Sequence, residues 1–274
     1  MQLGLDFDTP RLVRVTPARL AVWADCRRRY RMTYLDRPAP PRGGAQAAAT
    51  LGAVVHLALR ALLGLPAEAR TPDRAAALVD AHWSSEGFRD AEQAAEYRDR
   101  ARGWVADYAA ELPADVEIAG LETWVSVSTG RIVAEGRVDR IDRRGGEHVI
   151  VDYKTGRRPT PEDARDSAAL ALYALATERT LRRPCRQVEL HHLPTGTVAA
   201  WEHDADTIAA HLAAAEETAA ALADATAELA AGGDPERLFP PRTGPRCGAC
   251  DMRRNCPEGR AAAPEQPAWA GLPA

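Results

Sequence analysis

The sequence predicts an α/β domain with a helical N-terminal part and a core in the order α-β-β-β-α-β. Three observations carry this. Four of the five isoleucines, Ile118, Ile132, Ile141 and Ile150, fall where Val116–Val127, Arg131–Asp142 and His148–Tyr153 are rich in β-branched residues. Arg144-Gly145-Gly146-Glu147 places glycine at both central positions of a two-residue hairpin turn. Before the strands, Thr16-Pro17 and Thr71-Pro72 each read as an N-cap followed by a first-turn proline.

Taken in order, residues 1–16 are expected to be loosely ordered. A helix then runs from Thr16-Pro17 to about Leu35, followed by a Pro- and Gly-rich loop from Pro38 to Gly44. Helices are expected over Gln46–Leu63, from Thr71, and over Asp90–Glu111. The three strands follow, then a helix over Pro161–Arg179. Gln187–Leu193 and Thr197–Trp201 read as two more strands around Pro194-Thr195-Gly196. Asp204 caps a long Ala-rich helix that stops before Gly232-Gly233. Residues 234–257 are rich in Pro and Arg and carry three cysteines, and the Ala/Pro-rich tail, residues 260–274, is expected to be disordered.

Composition narrows the function. The 274 residues carry 35 basic and 39 acidic side chains, a formal net charge of −4. That excludes a generally basic DNA-coating protein, though not a local basic groove. The most apolar stretch, Leu51–Leu65, is interrupted by His56 and Arg60, so no membrane span is expected. The first ten residues hold Asp6 and Asp8 and no apolar run, which reads as a cytoplasmic chain without a signal peptide. The five cysteines are odd in number, and in a reducing compartment a disulfide framework is not expected. No Gly-x4-Gly-Lys-Ser/Thr phosphate loop is present, so any unwinding would come from a partner such as a helicase.

The hairpin turn carries the chemistry. With residue 144 facing 147, Ile141 faces Ile150 and Asp139 faces Asp152, with Cβ atoms about 4.5–5.5 Å apart. Two like charges so placed repel, and a hard divalent cation such as Mg²⁺ or Mn²⁺ compensates them. Strand alternation puts Ile150, Asp152 and Lys154 on one face, and Val149, Val151 and Tyr153 on the other. Lys154 is the one lysine among the 35 basic residues. Its compact ammonium, beside the proposed ion, can orient a water or steady charge on a phosphate.

Gly136-Arg137-Val138-Asp139-Arg140-Ile141-Asp142 followed by Val151-Asp152-Tyr153-Lys154-Thr155-Gly156 resembles the PD-(D/E)XK nuclease superfamily, and within it the RecB-like exonuclease branch. The resemblance implies a restriction-endonuclease-like core in a single domain over residues 17–259. It implies that Asp139, Asp152 and the main-chain carbonyl of Tyr153 ligate the metal, and that Lys154 is the catalytic lysine. Gly52 to His56 matches the family's Gly-x-x-x-His helix, which makes His56 a further metal ligand. The family's Gln-x-x-x-Tyr helix, which contacts the substrate, is matched by Tyr173, but Ala169 stands where the glutamine would be. The activity implied is metal-dependent cleavage of DNA, as an exonuclease on single-stranded or end-processed DNA in repair or recombination. A catalytically weak DNA-binding module is the alternative.

Cys247-x2-Cys250-x5-Cys256 is a compact ligand cluster, suited by its spacing to zinc or to iron–sulfur. A fourth ligand would be Cys26 or Cys185. The family's iron–sulfur subgroup has an N-terminal cysteine far from a Cys-x2-Cys-x5-Cys, so the resemblance implies a 4Fe–4S cluster on Cys26, Cys247, Cys250 and Cys256, with Zn²⁺ the alternative. Residues 17–40 and 240–259 would then form one lobe joining the chain ends. Arg27, Arg28, Arg31, Arg253 and Arg254 crowd this lobe, and Arg157 follows the Lys154 motif. Clustered arginine with nearby tyrosines suits a path for single-stranded DNA.

Overall fold

The computed structural model describes residues 12–273. The expectation for residues 1–16 falls mostly outside that range. Within it, Val13–Val15 forms strand β1. The first helix is two: Pro17–Asp25 (α1) and Arg27–Tyr34 (α2), broken where Cys26 adopts an extended backbone. Thr16 caps α1 by accepting from the Arg19 amide. Then come Ala47–Leu63 (α3), Pro72–His82 (α4) and Ala91–Glu111 (α5), the last two capped by Thr71 and Asp90. Strands Glu117–Ser128 (β2), Ile132–Arg144 (β3) and Glu147–Lys154 (β4) are consecutive. The helix expected over 161–179 is also two, Pro161–Arg165 (α6) and Ala168–Leu181 (α7), because Ser167 is extended and caps α7. Cys185–His192 (β5), Thr197–Glu202 (β6), Ala205–Ala230 (α8), Pro235–Leu238 (α9) and Pro257–Ala262 (α10) complete the chain.

The six strands form one mixed sheet. β3 pairs antiparallel with β2 and with β4, β4 pairs parallel with β5, and β5 pairs antiparallel with β6. One face of the sheet holds Ile141, Ile150, Val188 and Leu190 against α7 and α8. The other holds Val151 and Tyr153 in the core built by α3, α4 and α5. Ile150 and Val151 thus go to opposite faces, as alternation requires.

The feature that makes a site is a fork. β1 and β4 both lie on the side of β3 away from β2. β1 pairs only with Ile132–Ala134, and β4 only with Arg140–Arg144. Between them, residues 135–139 of β3 have no strand partner on that side, and Asp139 is the first residue past the end of the β3–β4 ladder. The expected pairs 144 with 147 and 141 with 150 form, but the ladder stops at Arg140 and Val151, so Asp139 and Asp152 are not a ladder pair. Alternation also breaks here, since Val138 and Ile141, three residues apart, both join the core against α7.

The tail departs from the expected disorder. Its carbonyls accept from the Ala47 amide (Ala268, 2.9 Å) and the Tyr97 hydroxyl (Pro273, 2.6 Å), and Leu272 packs on the α3–α5 core. The packing of Leu272 and these hydrogen bonds, more than its Ala/Pro bias, decide this. No helix among the described residues is long and apolar enough to cross a membrane.

Candidate active site

Asp139 is released from the ladder and turned across the fork. Its Oδ2 accepts the Tyr153 amide at 3.2 Å and faces His56 Nδ1 at 3.3 Å. His56 stands on α3, and its Nε2 lies 3.1 Å from the Tyr153 carbonyl. Gly52, one turn earlier, faces the Thr155 hydroxyl at the end of β4, at a distance where a Cβ would make only an ordinary contact. His56, Asp139 and the Tyr153 carbonyl are therefore brought together. On the same face of β4 as Ile150, Asp152 holds Lys154, whose Nζ contacts Asp152 Oδ2.

The electrostatics follow from crowding. Burial works against charge on Asp139, but the hydrogen bond and positive charge of His56, with the Tyr153 amide and Lys154, hold its carboxyl below the ordinary range. Asp152 goes the other way: burial, with the neighbouring Asp139 charge, pushes it up, and Lys154 offsets only part. Burial lowers His56, but Asp139, through hydrogen bond and charge, and Asp152 overcome it, so the imidazolium is favoured.

One residue of this site was not singled out from the sequence. Glu122 on β2 joins His56 and Asp139 in a group whose ligand atoms all lie within 4.8 Å of one another. Glu122 has a left-handed φ of 47°, rare for a residue with a side chain, and accepts Arg137 Nε at 2.7 Å. The signal available in the sequence was an acid inside the predicted strand Val116–Val127; nothing there announces the turned backbone. Asp152 is not a member of this tight group, its carboxylate being drawn to Lys154.

The donor set fits a hard divalent cation. Two carboxylates and an imidazole converge, with the Tyr153 carbonyl beside His56, and burial together with the Asp139 charge is what raises the neighbouring Asp152, a conflict that a cation relieves. Tyr173, on α7, lies over the same region. Its ring covers Gly136, where a Cβ would fall 2.6 Å from Cε1, and burial with the charges of Asp152 and Asp139 raises its hydroxyl.

At the other end of the chain, Cys26, Cys247, Cys250 and Cys256 line one cavity of about 490 Å³. The Arg242 amide points at Cys26 Sγ (3.4 Å) and the Gly259 amide at Cys256 Sγ (3.3 Å). Among the described residues no three of these thiols lie mutually within 4.8 Å. Burial, outweighing the Met252 amide and Arg29, raises the Cys250 thiol. Cys185 is elsewhere, buried in β5, with its thiol pushed up to about 12 by burial and by Glu178 and Glu147.

The arginines of this lobe divide. Arg28 is buried and bonds Glu258 at 2.7 Å while contacting Glu236; Arg31 bonds Asp36 and Glu236 at 3.2 and 3.3 Å. Arg253 donates to the Cys247 and Gly259 carbonyls. These three build the lobe rather than face solvent, because Glu236, Glu258 and the turn carbonyls come from the far end of the chain to meet them. Arg27, over the Trp23 ring at 4.8 Å, and Arg254 are exposed. Arg157 is exposed too, though it forks onto Asp163 at 2.7 and 3.1 Å.

The fork sets Asp139 of β3 against His56 and the Tyr153 amide, with the Asp152–Lys154 pair on β4. The chain matches the PD-(D/E)XK nuclease superfamily over residues 14–257 and belongs to it. Members are nucleases that use divalent metals, with DNA as substrate. No curated protein matches the chain.

Proposed function

We propose that the protein is an exonuclease acting on single-stranded or end-processed DNA in repair or recombination, with Mg²⁺ or Mn²⁺ held by His56, Asp139, Asp152 and the Tyr153 carbonyl. The observation that carries it is Asp139 reaching across the fork to the Tyr153 amide, which gathers both motif strands and α3 at one point. A bound divalent ion supplies Lewis acidity to the scissile phosphate and the attacking water. The chain's own part is positional. Lys154, drawn to Asp152, stands where its ammonium orients that water and steadies phosphate charge. Tyr173, with its hydroxyl beside the carboxylates, bounds the space for the substrate strand.

The cysteine lobe is read as holding a 4Fe–4S cluster on Cys26, Cys247, Cys250 and Cys256. That the four thiols line one cavity supports a single shared metal centre there, with Zn²⁺ as the alternative occupant. Arg27, Arg254 and Arg157 are the arginines left to attract the DNA backbone, so binding weakens steeply with salt. Unwinding, where needed, falls to a helicase partner.

One observation favours a weaker enzyme. Ala169 in the first turn of α7 leaves Tyr173 without the amide partner of the family motif. The test is cleavage of end-labelled and circular single strands with Mn²⁺, with and without chelator. Asp152→Ala and Lys154→Ala are expected to abolish cleavage while the protein keeps its brown colour. Full activity in both variants overturns the assignment, and a colourless protein with stoichiometric zinc overturns the cluster.

A further inference from the structure

The large aromatics of this protein are mostly covered: Trp23 and Trp104 are buried, as are Tyr30 and Tyr153. Trp124 and Trp269 are exposed, Trp124 the more so. Trp124 is 57% exposed, the highest among the exposed large hydrophobic residues described. It stands on β2 two residues after Glu122, on the stretch of β2 that follows the turned backbone. An exposed indole on a strand keeps an open π-face and an N–H donor, which a ligand with an aromatic ring can use.

Its surroundings say which. Trp124 is the ladder partner of Arg137, whose side chain is 61% exposed and bonds Glu122. Glu122 in turn belongs to the group with His56 and Asp139. One hydrogen bond and one strand pair therefore lead from the metal-binding carboxylates to the indole. The next pairs along are Ser126 with Glu135, and Glu135 holds the exposed Arg14 at 3.0 Å. This part of the sheet offers an open aromatic ring and a guanidinium that is bonded to a member of the carboxylate group. That pairing of an aromatic ring with a cation is how unpaired bases and their phosphates are held.

We propose that Trp124 is a stacking platform for an unpaired base next to the scissile phosphate, with Arg137 beside it for the adjoining phosphate. It is a positioning residue that selects an unstacked strand over duplex, because a paired base has no free face to offer. The inference rests on the single-strand reading above and sharpens it. A protein partner on this patch would instead leave the nucleotide kinetics untouched.

The test is steady-state cleavage of end-labelled single strands with Mn²⁺ by the full chain and its Trp124→Ala and Trp124→Phe variants, with an abasic site moved along the substrate. Loss of one base stack is expected to raise KM about 5- to 100-fold in Trp124→Ala, with kcat within about twofold, and Phe should restore most of it. An abasic site at one position should raise KM for the parent protein and not for Trp124→Ala. An unchanged KM in Trp124→Ala, or an abasic penalty that persists there, overturns the platform while the single-strand reading stands. A parent protein that cuts only duplex ends overturns the reading itself, and the platform with it. If the alanine variant folds poorly, the abasic series on the parent protein still decides, since the absence of a position-specific KM penalty there overturns the platform.

Discussion

Gly136→Ala reports on the packing that sets Tyr173 over the fork. Gly136 lies in β3 without a left-handed φ, so alanine fits its backbone and by itself would stabilise the chain by about 0.4–1 kcal/mol through the unfolded state. The new Cβ, however, falls 2.6 Å from Tyr173 Cε1 and 2.9 Å from the hydroxyl oxygen. The Tyr173 ring, projecting from α7, is partly buried against the core, so it yields only by giving up some of that packing. Overpacking of this kind costs about 1–3 kcal/mol. The net expectation is destabilisation of about 1–2 kcal/mol, a Tm lower by about 2–8 °C for a chain of this size. Urea unfolding of Gly136→Ala, Tyr173→Ala and the double variant closes the cycle. The double variant should be more stable than the two single effects summed, by about 1 kcal/mol or more. Additive effects, or a stabilised Gly136→Ala, would refute the contact.

Two expectations concern pH. Burial opposes charge on Glu189, but hydrogen bonds from His191 and Arg144 win, lowering its pKa from 4.5 to about 2. A depressed carboxyl stabilises the fold above its unfolded pKa, so about 3 kcal/mol should be lost as pH falls from 4.5 toward 2. Glu189→Gln should be less stable than the parent at pH 6 and equal to it near pH 2, by urea midpoint; a pH-independent gap contradicts this. His56 is raised, so its pairing with Asp139 stabilises the metal-free fold below pH 6.5 and is lost as pH rises through the higher folded value. A metal ligand must be neutral, so Mn²⁺ affinity should fall about tenfold per unit below that raised value. Calorimetric titrations across pH 6 to 8.5 check this, and a flat affinity would remove His56 from the ligand set.

How far the sequence carried differs by element. β4 and the glycine turn were legible because period-two alternation and a Gly-Gly pair are local signals, and the contact between Asp152 and Lys154 agrees with their sharing one face. The helix breaks at Cys26 and Ser167 were not: the extended backbone at Cys26 is set by the cysteine turning to the C-terminal lobe, a contact across the whole chain. For the same reason Arg28 and Arg31 looked like a DNA-facing cluster until Glu236 and Glu258 were seen to meet them. Register alone paired Asp139 with Asp152, whereas the split between β1 and β4 frees Asp139 to cap the Tyr153 amide. Glu122 escaped because its place depends on a left-handed φ without glycine or asparagine to mark it.

The shared ion itself can be counted. Titration of Mn²⁺ into the parent protein and Asp139→Asn at pH 8, followed by the loss of free-Mn²⁺ paramagnetic resonance, reads the site without reference to cleavage. Asp139→Asn should lose the tight site while still unfolding in one cooperative transition, at a lower midpoint because the ionised carboxyl held by His56 and the Tyr153 amide is gone. Binding in Asp139→Asn with the parent's affinity and stoichiometry would contradict the convergence of His56, Asp139 and Asp152 on one ion.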